Sequence, residues 1–535
     1  MTVELTVDGV AHTVVAESGS LLDVLRDEVG ALSAKDGCSP QGQCGCCTVL
    51  VDGAPRVACV TPVRRVAGRS ITTVDGLDAD VRDRWAGALC ASGGSQCGFC
   101  TPGIVVRLEG ARAKGVAADD RKGVGQALAA HLCRCTGWQT VEEAYAAVAG
   151  SVDADDLSAG RDLDAAARRA AIEGRAEQLV APGVALGRGG FAQDTAPPGA
   201  LVAVPDGRGG WTVGETLAEA RAGAGKVQGR RTTIDARPPL ALPDGEWDRT
   251  LRTSWVEPAY LETDASWCEP GGEPATPLAN GGAFGAKRSS PAPRAARALA
   301  DEHGRAVRVV LSREDTVRMG PKRPPLAVGV RRDGTGVVRV ARTAGGVDAI
   351  ARWWPGLSVE EVDVPGPPTS LDLRGAIWVE LAAVMATLDG ADPEPVTVTD
   401  PDGGRATVAI GADGHVSVTV AAGDPLDEVV LRSYAIGAVH QALGWVTSEA
   451  LAVDDDGEVH DLTIRSFGIV RALDMPPVDV VVDAASGPPV NGSDAVLAAA
   501  AAAIWRRQGC PPAWPTRSST LTTDRSLGSG RPTEQ

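Results

Sequence analysis

The sequence predicts an α+β chain of several domains, with metal or redox chemistry gathered at its N-terminal end. Three observations carry that expectation. The chain has 535 residues, room for about three or four domains at roughly 150 residues each. Its 44% hydrophobic and 23% charged residues supply sizeable cores and exclude a disordered chain. Ten of its 12 cysteines precede residue 136, leaving only Cys268 and Cys510 beyond.

The charge balance removes two function classes. Lys and Arg total 52 against 69 Asp and Glu, a formal net charge of −17, whereas nucleic acids and anionic membranes are met by concentrated basic surface. No stretch approaches the roughly 18 consecutive apolar residues of a membrane helix, so no membrane role is expected. The opening MTVELTVDGV has no basic segment followed by an apolar one. No signal peptide is therefore expected, and the chain is assigned to the cytoplasm. In that compartment clustered cysteines point to metal or redox chemistry before structural disulfides.

Residues 2–7 alternate as TVELTV, turn at Asp8-Gly9 and alternate again over His12–Val15, a hairpin signature. Ser18–Gly30 predicts a capped helix, with Ser18 or Ser20 at its start, Leu22, Val24 and Leu25 among its apolar positions and Gly30 past its end. A Cys-rich loop over Gly37–Cys47 leads into a second hairpin, Thr48–Val51 and Arg56–Val60 around Asp52-Gly53. Residues 1–78 therefore predict a small mixed sheet clasping one helix. Residues 79–150, Ala-rich with apolar residues at helical spacing, predict a compact helical bundle carrying two more Cys pairs. The charged, Ala-rich 151–189 predicts a linker with a solvated helix. Over 190–512 short Val-rich runs such as RAVRVVLS alternate with Ala-rich helical runs, which predicts α+β lobes. Residues 513–535 lack apolar periodicity and predict a disordered tail.

The first cysteine constellation places Cys38, Cys44 and Cys47 on one Gly-rich loop, with Cys59 twelve residues further on across the second hairpin. Three thiolates on a loop and a fourth on a neighbouring strand can surround a [2Fe–2S] cluster. Gly37, Gly42 and Gly45 let backbone N–H groups approach its sulfurs. The first gap holds five residues where plant-type spacing has four. Cys46 is one thiol too many, expected behind the ligands or in the packing. A tetrathiolate zinc site and merely buried thiols are the alternatives. The second constellation joins Gln96-Cys97-Gly-Phe-Cys100 to Cys133-Arg-Cys135, a C-x2-C pair and a C-x-C pair able to close another four-thiolate site. Taken alone it suits zinc almost as well. Two such sites in neighbouring small domains favour an electron relay, because zinc carries no electrons.

The segments QCGFCTPG and CRCTGW, with CGCCTVLVDG and Cys59, resemble the iron–sulfur subunit or domain of the molybdenum hydroxylases, the xanthine dehydrogenase, aldehyde oxidase and carbon monoxide dehydrogenase family. The resemblance covers residues 1–150. It implies a β-grasp, plant-type ferredoxin domain over 1–78, holding one [2Fe–2S] cluster through Cys38, Cys44, Cys47 and Cys59. It implies a four-helix domain over 79–150, holding a second cluster through Cys97, Cys100, Cys133 and Cys135. In such a protein the second cluster lies beside a molybdenum–pterin cofactor, with Gln96 and Cys135 in reach of the pterin, and the first lies towards a flavin. The chain departs from the family pattern in the added residue after Cys38, in His131 where Asn is usual and in Trp138 for Tyr.

Fragments of 190–512 resemble the family's molybdopterin-binding subunit: Trp255–Trp267, the Gly281–Lys287 loop GGAFGAK ahead of AVRVVLSRED, Arg374-Gly375 with Glu380, and Gly437–Glu449. The resemblance implies a shortened, degenerate version of that subunit, in which Gly281, Gly282, Phe284 and Gly285, with Gln96, touch a molybdopterin held on this chain or shared with a partner. A Gly-rich loop ahead of a helix suits an anionic group. Where the family has its catalytic glutamate stands Asn491-Gly-Ser-Asp494. Asp494 is thus the candidate general base, one methylene shorter, and a helix N-cap is the competing reading. His440 is expected to be a packed side chain, Trp353-Trp354 core or interface and Arg318–Arg323 a surface loop, while Cys90, Cys268 and Cys510 have no ligand role.

The function this implies is the electron-transfer component of a multisubunit molybdenum hydroxylase. Electrons would pass from a molybdenum–pterin site through two [2Fe–2S] clusters to an FAD-binding subunit or external acceptor, in a hetero-oligomer with a molybdenum-binding catalytic subunit. The alternatives are a compact, self-sufficient molybdenum hydroxylase with Asp494 or Glu380 as base, and a non-enzymatic assembly protein whose clusters are structural.

Overall fold

Alternation and turn dipeptides build the N-terminal sheet where they predict it. Strands β1 (Thr2–Val7) and β2 (Val10–Val15) pair antiparallel, with Val3, Leu5 and Val7 buried. The structure is a computed structural model and describes residues 2–15, 19–150, 160–225, 234–390, 392–460, 462–483, 486–518 and 521. Strands β3 (Thr48–Val51) and β4 (Ala54–Val57) form the second hairpin through Asp52 and Gly53, at φ 47° and 76°, the left-handed pair that a two-residue turn requires. Strand β5 (Ser70–Thr72) lies between β1 and β3, parallel to the first and antiparallel to the second. Ser20 caps the helix that begins at Leu21: its hydroxyl accepts from Asp23 N, and the Asp23 carboxylate accepts from Ser20 N. Ser18 lies outside the described residues.

Helices α1 (Ala79–Ser92), α2 (Thr101–Arg112), α3 (Arg121–Ala127) and α4 (Gln139–Ala149) follow, around Trp85, Val105, Leu108, Val141 and Tyr145. Helix α5 (Leu163–Gly174) corrects the expectation of a solvated helix, for it buries Ala165, Ala166, Arg169, Ala170 and Glu173. Its charges misled because they are satisfied inside: Arg169 donates to the carbonyls of Pro425 and Val490, and Glu173 accepts from the N–H groups of Gly492 and Ser493.

The remainder is α+β. Strands β6 (Leu201–Pro205), β7 (Trp211–Gly214), β8 (Arg249–Thr253), β9 (Ala265–Cys268), β10 (Val307–Val310), β11 (Leu326–Val330), β12 (Gly336–Ala341), β13 (Leu357–Val362), β14 (Val396–Thr399), β15 (Arg405–Ile410), β16 (Val416–Ala421), β17 (Val478–Asp483) and β18 (Ala513–Trp514) assemble in the orders β7-β6-β10-β9, β13-β12-β11-β8-β18 and β14-β15-β16-β17. Helix α6 (Ala292–His303) shares a small core with β6, β9 and β10. Helices α7 (Trp378–Ala386), α8 (Glu428–Thr447) and α9 (Ser493–Arg507) are buried along most of their length, which apolar residues on every face require. One hydrophobic core runs from the N-terminal sheet through the first four helices into α7, α8 and α9.

The predicted tail starts too early. Ala513–Trp514 pairs with β8, and Trp514 is buried edge-on against Trp445 and Trp505; a single anchoring Trp leaves no periodic trace. Residues 519–520 and 522–535 lie outside the described residues. Among the described residues no helix is long and apolar enough to cross a membrane.

Candidate metal centres and the pocket beside them

The second hairpin assembles the first quartet. Its register sets Thr48 opposite Val57, so Cys47 before β3 meets Cys59 after β4, and Cys59 N–H donates to Cys47 Sγ over 3.4 Å. The loop bearing Cys38 and Cys44 closes over them, with Ser39, Gly42 and Gly45 all at positive φ and Gln41 N–H donating to Cys38 Sγ over 3.2 Å. The Cys38 thiol touches those of Cys44 and Cys59, and Cys59 touches Cys47. These contacts hold Cys38 well below the ordinary thiol range, while Cys44 and Cys59, donating to it, are raised. All four are buried and none is in a disulfide.

The second quartet forms at a helix start. Cys100 caps α2, and Cys133 and Cys135 come from the loop before α4. Cys133 contacts Cys100 and Cys135, which pull its pKa well down, and Cys135 Sγ lies 3.8 Å from Cys97 Sγ. A helix N-terminus favours negative charge at this point. Each set runs as a file of thiols, and no three or more His, Cys, Asp or Glu among the described residues are spaced for a single ion. Such a file suits the two irons of a binuclear cluster, each taking two thiolates.

The two quartets meet across a seam. Gly103, in the first turn of α2, packs so closely on the Gly45–Cys46 backbone that a Cβ there would stand 2.3 Å from Gly45 O. Leu132 N–H donates to Cys44 O over 3.0 Å, and His131 Nε2 bonds Thr48 Oγ1 over 3.0 Å. Burial pushes His131 down to about 3, so the ring is neutral.

The second quartet also opens on a narrow pocket. Gln96, Cys97, Cys100, Cys135, Gly281 and Phe284 are among its lining residues. Gln96 Nε2 donates to Cys135 O and Ser433 Oγ, and Asn280 Nδ2 to Gln96 O. Residues 281–285 all have positive φ, including Ala283 at 52° and Phe284 at 57°. For those two the conformation costs on the order of 1–2 kcal/mol each, and such strain concentrates at functional sites. Gln96 and this Gly-rich turn are what an anionic pterin would meet, and that lining suits the group; the Arg134 guanidinium, also at the wall, is paired with Glu449. Gly282 and Gly285 do not line the pocket: a Cβ on them would stand 2.8 Å from Ala176 and 1.8 Å from Asp372 O, so they admit neighbouring segments instead. The following helix, α6, starts only at Ala292, and it too lies outside the lining.

Asp494 lies in the first turn of α9, but the N-cap is Gly492, and Asn491 before it accepts from Asp494 N through its Oδ1. This corrects the N-cap reading. The Asp494 carboxylate is instead bound on both oxygens, by Arg374 Nε and Arg175 Nη2, each over 2.8 Å. Arg374 lines a second, charged pocket that shares Arg134 and Phe284 with the first; Asp494 lines neither. Glu380 is likewise committed, to Arg323. Arg323 is buried with its guanidinium 3.8 Å from the Trp445 ring, and Lys322 is buried beside it, which corrects the surface-loop expectation at that end of Arg318–Arg323, while Arg318 and Met319 are exposed. His440 is packed, with Nε2 bonded to Val470 O. Sequence reading missed the buried Glu262–Lys287 pair at 2.9 Å, whose carboxylate burial pushes up to about 7, and the Gln178–Tyr434 bond at the pocket wall. Neither leaves a periodic signal.

Two thiol quartets, one beside a β-grasp sheet and one at a helix start, define a two-cluster iron–sulfur protein. The comparisons agree. A family model for the [2Fe–2S] binding domain matches residues 73–146. The chain is 37% identical over 147 residues to the xanthine dehydrogenase iron-sulfur-binding subunit of Escherichia coli O157:H7, covering 26% of this chain and 89% of that one. It is 33% identical over 146 residues to the nicotinate dehydrogenase small FeS subunit of Eubacterium barkeri, covering 27% and 92%. The fold is similar to that of aldehyde oxidoreductase from Desulfovibrio gigas, with a TM-score of 0.66 and 15% identity, over 95% of this chain and 97% of that one. The chain belongs to the xanthine dehydrogenase family of molybdenum hydroxylases, a family of oxidoreductases whose cofactors are [2Fe–2S] clusters and a molybdopterin. The sequence matches cover the N-terminal part, and the fold likeness extends over the rest.

Proposed function

We propose that the chain is the electron-transfer component of a multisubunit molybdenum hydroxylase. One cluster on Cys97, Cys100, Cys133 and Cys135 and another on Cys38, Cys44, Cys47 and Cys59 carry single electrons from a molybdenum–pterin site to an FAD-binding subunit or external acceptor in the cytoplasm. The seam at Gly45 and Gly103 carries the reading, because it brings the loops of both quartets into backbone contact inside one core. The clamped carboxylates of Asp494 and Glu380 support giving the hydroxylation itself to a separate catalytic subunit, since a general base needs a free oxygen within reach of the proton it takes. The test is elemental analysis and subunit composition of the natively purified assembly. About four Fe per chain, with molybdenum and flavin on partner chains, is the expected result. A lone chain without such partners overturns the multisubunit reading, and zinc in place of iron overturns the clusters.

The pocket favours a second reading, in which Gln96, Gly281 and Phe284 hold a pterin on this chain. Near-stoichiometric molybdenum on the isolated chain is its signature.

A further inference from the structure

The one thiol of the Cys-rich loop outside the quartet lies against it. Cys46 is 1% exposed. Its sulfur lies against the Cys44 thiol and donates to Cys44 O over 3.9 Å. A Cβ on Gly37 would stand 3.1 Å from Cys46 Sγ and 3.2 Å from Cys44 Sγ, so the bare glycine is what lets the two sulfurs lie side by side. Across the seam, Cys100 and Cys133 are near enough to sense charge on Cys46 but make no hydrogen bond to it.

We infer that the Cys46 S–H donates a hydrogen bond to the Cys44 sulfur and so raises the reduction potential of the first cluster, leaving the second unchanged. The inference rests on the cluster assignment proposed above. An iron-bound Cys44 is a thiolate with no proton, so it can only accept. Cys46, buried away from water, is a thiol whose one proton can go to Cys44 O, at 3.9 Å, or to the Cys44 thiolate, the charged and therefore stronger acceptor. Cys38 and Cys47 receive backbone donors from Gln41 and Cys59, and Cys46 does the same for Cys44. A donor to a ligand sulfur stabilises the reduced state, which carries one more negative charge, more than the oxidised state. A higher potential on the first cluster favours electron flow to it from the second.

The experiment is a redox titration of the full chain, with both clusters followed by EPR and iron measured in parallel. In Cys46→Ala the reduced-to-oxidised ratio of the first cluster at a fixed poise falls about tenfold, a downward midpoint shift of about 59 mV for one electron. The second cluster keeps its midpoint. Cys46→Ser, which retains an O–H donor, stays within about threefold of wild type. Full iron with an unmoved first midpoint in Cys46→Ala overturns the inference, as does a serine variant that drops as far as alanine. Loss of iron from alanine with full iron in serine supports the donor, and loss from both overturns it by making Cys46 a structural requirement. Absence of iron from the wild-type chain would strike the cluster assignment itself, a distinct result.

Discussion

Replacing Gly437 by alanine sets two effects of opposite sign against each other. Gly437 lies in the middle of α8, a 20-residue helix, where Ala would ordinarily gain about 1 kcal/mol. The tertiary contact opposes this. A Cβ at 437 would stand 2.0 Å from Cys135 O and 3.1 Å from Cys135 C, so helix and cluster loop must separate by more than an ångström to reach ordinary contact. Overpacking of this kind costs about 1–3 kcal/mol, and the Gln96 Nε2 bond to the same carbonyl is worth about 1 kcal/mol more. Contact therefore outweighs propensity, for a net loss of about 1–3 kcal/mol, centred on Cys135. Gly437→Ala should melt earlier than wild type and lose the second cluster's EPR signal while the first persists. A variant that melts later, with about four Fe per chain and both signals intact, would refute the argument that the α8 contact positions Cys135.

Cys133→Ser should lower iron from about four to about two per chain and spare the first cluster; zinc in either form would contradict the assignment. Asp494→Asn leaves the buried Arg374 without its counter-charge and should cost about 2–4 kcal/mol in denaturant melts, the half-exposed Arg175 limiting the loss. An unchanged melt would mean that the clamp contributes nothing. His131, pushed by burial from 6.5 down to about 3, contributes stability that is full above pH 6.5 and lost as pH falls toward 3, about 5 kcal/mol in all. Unfolding followed between pH 6.5 and 4 should steepen accordingly, and a flat profile there argues against a buried neutral ring. Glu262 has the opposite sign: raised by burial from 4.5 to about 7, it contributes stability that is full below pH 4.5 and lost as pH climbs to 7, about 3 kcal/mol. Glu262→Gln should flatten that limb, and an unaltered limb would assign it to other groups.

The legible parts of this protein are those in which the interacting groups are neighbours in the chain. Asp52-Gly53 specifies its turn within two residues, the turn sets the register of β3 and β4, and the register brings Cys47 to Cys59. Ser20 and Asp23 cap their helix across three residues. The C-x2-C and C-x-C spacings likewise fix which thiols share a loop. Illegible were the groups whose partners lie hundreds of residues away. Arg169 and Glu173 read as solvent charges until 422–425 and 490–493 are seen to enclose them. Asp494 reads as a cap or a base until Arg374 and Arg175 arrive from elsewhere in the chain.

Local chemistry in the sequence thus determined the two thiol quartets, the N-terminal hairpins and the family. Only the tertiary structure decided that both quartets share one core, that a pocket opens beside the second, and that Asp494 has both oxygens engaged. The reason is physical: turn, cap and spacing preferences act over a few residues, whereas burial assigns each charge the partner that long-range packing delivers.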